Sequence, residues 1–121
     1  MAKITKILFK DRLEKYLSVF NEWKLKWTGV NSRYTTNNQT ILSAWNNAVV
    51  GMSDEDLNTL AISIKKAMYS ACESDWHKTT KYKWITPQFF LREDKREFWL
   101  TEYQVNYNVK KQKPFKPNRY V

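Results

Sequence analysis

The stretch whose reading decides the fold is Lys81–Leu100, KYKWITPQFFLREDKREFWL. Trp84 and Ile85 form an apolar lead-in, Thr86 and Pro87 follow, and the segment closes on Phe98 and Trp99. The Thr86 hydroxyl can accept from the orphan N–H groups of a helix start, and Pro87 at the first helical position lacks only an N–H that would go unpaired. Ile85, just ahead of the cap, is placed to pack against Phe90. The spacing predicts one helix over Thr86–Tyr103, or two short ones hinged near Glu93 and Asp94. Phe89, Phe90, Phe98, Trp99 and Tyr103 take its apolar side, with Arg92, Lys95 and Arg96 opposite.

Toward the N-terminus the same period recurs. Leu13, Leu17 or Tyr16, Phe20, Trp23 and Trp27 make one stripe on a helix from near Leu8 to about Trp27. Thr28–Asn38 reads as a polar connector in which Gly29 suits a helix C-cap. Arg33 and Tyr34 lie there with no evident packing role, which makes them candidates for contact with a phosphate or a partner. A second helix is predicted over Asn38–Val50, from Ile41, Trp45, Ala48 and Val49, with Gly51 as the stop. Ser53 then opens a third helix, with Asp56 three residues on as a capping-box partner. Asp54, Glu55 and Asp56 sit at the positive end of that helix, so capping accounts for them without a metal. Leu57, Leu60, Ala61, Ile64, Ala67, Met68 and Ala71 hold the period to about Ser74, and the small residues predict close approach by a neighbouring helix.

Asp75–Lys83, DWHKTTKYK, combines bases with aromatics. Lys78, Lys81 and Lys83 lie along it, and an extended backbone would place Lys81 and Lys83 on one face. Trp76, Tyr82 and Trp84 offer flat surfaces beside them, and charge with rings is what single-stranded nucleic acid needs. His77 is the only histidine, and its alternation with Glu73 and Asp75 is too sparse a donor set for a metal site.

From Gln104 the period fails and prolines appear at 114 and 117. An extended basic arm is expected over residues 105–121, with Tyr107, Phe115 and Tyr120 as pegs among Lys110, Lys111, Lys113, Lys116 and Arg119. The expected fold is therefore all-α: a bundle of four to five helices over residues 1–104, followed by the arm. The net charge of +9 divides as +4 on residues 1–104 and +5 on the rest. Such an excess favours nucleic acid or an acidic protein surface as partner.

Enzymatic signatures are missing from the linear pattern. Two glycines cannot form a glycine-rich phosphate loop, and neither a Cys/His metal pattern nor a Ser-His-Asp arrangement is present. Cys72 is the single cysteine, which excludes an internal disulfide. Met1–Lys10 lacks the apolar run of a secretory signal, and the uncharged stretch Tyr34–Ser53 is too polar to span a bilayer. These features lead us to expect a non-enzymatic protein of the cytoplasm, with no cofactor and no membrane contact.

Residues Trp45–Leu100 carry Gly51-Met52-Ser53-Asp54-Glu55-Asp56, the run Ile64, Ala67 and Ser70, then Trp76, and finally Tyr82-Lys83-Trp84-Ile85-Thr86-Pro87-Gln88-Phe89-Phe90-Leu91-Arg92. In these the chain resembles the C-terminal domain of phage and mobile-element replication proteins of the replisome-organiser type. The last segment is similar to that family's aromatic W-x-T-P-x-F-F pattern. The resemblance implies work on single-stranded DNA or RNA, or on a replication complex. The N-terminal DNA-binding domain usual in that family is replaced here by one helix and a loop. A second expectation follows from that departure: a phage inhibitor of a host ribonucleoprotein, of the anti-CRISPR kind. Candidate contact residues under either expectation are Arg33, Tyr34, Trp76, Lys78, Lys81, Tyr82, Lys83, Arg92, Lys95, Arg96, Lys110, Lys111, Lys113, Phe115, Lys116 and Arg119.

Overall fold

The computed structural model describes the backbone of residues 6–112 and the side chains of residues 6–105. Among these residues there are six helices and no strand: α1 (Lys10–Thr28), α2 (Gln39–Val49), α3 (Asp54–Glu73), α4 (Asp75–Thr79), α5 (Pro87–Leu91) and α6 (Glu93–Gln112). The expected all-α bundle is what the chain forms.

Local chemistry sets most of the boundaries. Asn38 caps α2 by accepting from the N–H groups of Thr40 and Ile41 at 2.9 and 3.2 Å. Ser53 and Asp56 close a reciprocal capping box at the start of α3: the Asp56 N–H donates to Ser53 Oγ at 3.1 Å, and the Ser53 N–H to Asp56 Oδ2 at 3.2 Å. Thr86 caps α5 with Pro87 following it. Gly29 ends α1 at φ 77°, a conformation that favours glycine, and its N–H returns to Leu25 O at 2.9 Å. The start of α1 lies two residues later than the stripe predicts. Leu8 is drawn away by α2, where its N–H donates to Asn46 Oδ1 and its carbonyl accepts from Trp45 Nε1.

α3 lies at the centre, touching α1, α4, α5 and α6. Leu57, Leu60, Ile64, Ala67, Met68 and Ala71 are buried along it, as the period predicts, whereas Ala61 is exposed. The core continues through Leu13 and Phe20 of α1, Ile41 and Trp45 of α2, and Ile85 and Phe90 beside α5. Tyr16 ties α1 to α5 by donating its hydroxyl to Pro87 O at 3.0 Å, and burial pushes that phenol well above its usual pKa.

Three expectations are corrected here. Asp75–Lys83 is not extended: Asp75–Thr79 is helical, capped by Ser74, whose Oγ accepts from the His77 N–H at 3.2 Å. The chain then turns through Lys81 and Tyr82 with φ of 57° and 62°. The predicted hinge is real but falls at Arg92, separating α5 from α6. Finally, the helix does not stop at Tyr103: α6 runs on to Gln112, so residues 105–112 belong to it and not to an extended arm.

Candidate cationic aromatic interface

The surface around α4 is built by the turn that follows it. Left-handed conformation at two consecutive non-glycine residues costs roughly 1 kcal/mol or more each. Backbone hydrogen bonds hold it, from the N–H of Tyr82 to His77 O at 2.8 Å and of Ile85 to Tyr82 O at 3.1 Å. The turn presents Lys81 and Lys83 at the surface beyond Lys78, all three exposed. Two half-exposed indoles bracket them, Trp76 at 56% and Trp84 at 47%. Lys83 Nζ lies over the Trp84 ring at 5.0 Å, so one cation and one ring already form a pair on this face.

His77 is the anchor beneath. It is fully buried, with ring contacts to Trp76 at 4.7 Å, Trp99 at 5.2 Å and Phe89 at 6.0 Å. Neither ring nitrogen has a hydrogen-bond partner, and burial pushes the imidazole pKa down to about 4. Through His77 and Trp99 the α4 rings continue to Phe98 of α6, which stands edge-on to Trp99 at 4.9 Å and is 55% exposed. Lys95 of α6 lies nearby in this ring network, its ammonium 5.9 Å from the Phe89 ring, which in turn contacts His77.

Of the predicted contact residues, Trp76, Lys78, Lys81 and Lys83 are exposed along α4 and the turn after it, and Lys95 is half-buried on α6. Tyr34 is a packing residue: its hydroxyl accepts from the buried Lys24 ammonium at 3.0 Å and donates to Ile85 O, its ring stands edge-on to Phe20, and its backbone pairs with the Asn21 side chain. Arg96 is also structural, donating to the carbonyls of Phe90 and Leu91 at 3.0 and 3.2 Å and so closing the end of α5. Tyr82 is half-buried against the core and serves the turn. Arg92 is exposed beside Asp94 at 3.4 Å, and Arg33 is exposed on its loop. The side chains of Lys110 and Lys111, and all of Lys113, Phe115, Lys116 and Arg119, lie outside the described residues.

Compared with family models, curated proteins and solved structures, the chain finds no match in any of the three.

Sequence reasoning offered Trp84 as a flat surface beside the lysines but left it out of the candidate contact residues, and it placed Phe98 on the apolar side of its helix and missed it as a surface ring. No local signal marked Phe98 as exposed, since helix neighbours about 100° apart can share one core face, as Ala67 and Met68 do on α3. Elsewhere, no group of three or more His, Cys, Asp or Glu among the described residues is placed to hold a metal ion. The Cys72 thiol is buried and pushed up to about 12, mainly by desolvation, which leaves almost no thiolate near neutrality. No described helix is long and apolar enough to cross a membrane.

Proposed function

We propose that this protein is a non-enzymatic basic module that binds single-stranded nucleic acid, free or within a replication complex, through the α4–α5 turn. One observation carries the reading: Trp76 and Trp84, both half-exposed, flank the exposed Lys78, Lys81 and Lys83 along the chain, with the Trp76 ring packed on the buried His77 and Lys83 Nζ over the Trp84 ring. Phosphates meet the ammonium groups and bases stack on the indoles, which needs no sequence readout. The resemblance to replisome-organiser domains and the +9 charge support the same partner class.

Titration of a labelled oligothymidine at two salt concentrations tests this. Binding is expected to fall steeply as salt rises, because each neutralised phosphate releases counterions. The triple change Lys78→Glu, Lys81→Glu and Lys83→Glu should abolish it while leaving the circular dichroism spectrum intact. Full binding by that variant would sink the reading.

A second reading has its own support in Phe98, a bare apolar ring at 55% exposure next to the cationic face. Phenylalanine without a polar tip suits a protein surface, so the target would be a host ribonucleoprotein, with this chain as its inhibitor. Capture of one host complex that survives nuclease treatment, and is lost in Phe98→Ala, distinguishes the two.

A further inference from the structure

A groove of about 610 Å³ runs between α1 and α3, away from the α4 face and unused by the function proposed above. Its floor is apolar, made by Tyr16, Val19 and Trp23 of α1, Trp45 of α2, and Leu60 and Ile64 of α3. Between them the exposed Ala61 leaves only a methyl group, and Ile62 stands 56% exposed at the lip. One end is fixed: Arg12 of α1 reaches across to Asn58 Oδ1 at 2.9 Å and Asp54 at 3.6 Å on α3. The opposite walls are therefore held in place before anything binds.

We propose that this groove docks an amphipathic helix whose apolar stripe is flanked by acidic side chains. Both walls are helices whose backbone groups are satisfied internally, so an extended peptide finds no row of free N–H and C=O groups to pair with. A helix brings its own satisfied backbone and needs only a stripe of side chains. Lining positions on α1 recur at three- and four-residue steps from Arg12 to Trp23, a length of roughly 16 Å or three turns at 1.5 Å per residue. A helix of similar length fits that stripe.

Charge selects among helices. Arg12 is already engaged, which leaves Lys15 on one wall and Lys65 on the other against the single carboxylate of Asp11. The Lys65 ammonium lies 5.8 Å from the Trp23 ring, so it leans from α3 toward α1 over the opening. Acidic flanks on the incoming helix meet both ammonium groups. A second copy of this chain is a poor occupant, since each copy carries +9. Nucleic acid is disfavoured too, because the floor between the walls is apolar and offers a phosphate backbone no cation there.

The test uses the full chain and two fluorescein-labelled, hydrocarbon-stapled peptides of about three helical turns. Both carry Leu at i, i+4 and i+7; one has Glu and the other Lys at the flanking positions. The Glu peptide is expected to bind at least about tenfold more tightly than the Lys peptide, a gap of about 1.4 kcal/mol. Lys65→Glu should shrink or invert that preference. Ala61→Trp, at an exposed position that fills the groove, should weaken the Glu peptide at least about tenfold with an unchanged melting temperature. The triple Lys78, Lys81 and Lys83 reversal should leave peptide binding intact, so failure of the nucleic-acid reading and failure of this one are separate results. Equal affinity for the two peptides, no binding of either, or full binding by Ala61→Trp would overturn the proposal. So would self-association of the free protein that Ala61→Trp abolishes.

Discussion

His77 is the residue whose chemistry most exceeds what its position in the sequence suggests. In sequence it is notable only for a sparse alternation with Glu73 and Asp75; in the fold it is fully buried with both nitrogens unpartnered. Its folded pKa of about 4 lies below the usual 6.5, so the unfolded chain takes up the proton first. The stability it contributes is whole above pH 6.5 and is lost as pH falls from there toward 4. The loss by pH 4 is at most about 3 kcal/mol. In His77→Leu that acid-sensitive part should vanish, while stability at pH 7 stays within about 1 kcal/mol of the parent, because no hydrogen bond is broken. Urea melts at pH 7, 5.5 and 4 check this; equal pH slopes in the two proteins would show that the ring reaches solvent. Tyr34 and Arg96 were illegible for a related reason. A phenol in a polar loop gains its role only when Lys24 and, 51 residues away, Ile85 meet it in space.

Elements were legible where one of their faces meets the core. α3 has its cap, its period and its acidic first turn all in agreement, and the sequence places it almost residue for residue. Ser53→Ala removes one half of its capping box and should cost about 1 kcal/mol, or roughly 3–6 °C in melting temperature. A thermal melt of Ser53→Ala beside the exposed control Thr59→Ala tests whether the cap, and not a hydroxyl in general, is responsible. α4 was illegible because five residues hold no period, and only Ser74 announces it. α6 was cut short for the opposite reason. The period reports contact with the core, and Gln104 and Val105 are exposed, so the helix continues where the stripe has ended. The turn at Lys81 and Tyr82 bears no glycine, asparagine or aspartate, so nothing local predicted left-handed backbone there.

On the scale of the whole molecule the question is how charge and aromatic surface divide the work. The bundle carries Lys78, Lys81 and Lys83, while Lys113, Lys116 and Arg119 come after Gln112 in the sequence, outside the described residues. Under the proposed function, in which Lys78, Lys81 and Lys83 meet phosphates, these three cations would add contacts that act through counterion release alone. Removing residues 113–121 leaves all six helices in place. It should reduce the slope of log K against log salt by about 2 for a single strand, at about 0.7 per phosphate. Affinity at low salt falls with it, and the two binding curves converge as salt rises. Trp76→Ala should do the reverse, weakening binding by about 1–3 kcal/mol at every salt concentration with the slope unchanged. At 56% exposure its loss is expected to leave the melting temperature near that of the parent. Oligonucleotide titrations across a salt series on the parent, the truncated chain and Trp76→Ala separate the two contributions. A slope that survives truncation would place every phosphate contact on the bundle and leave the terminal cations to solubility.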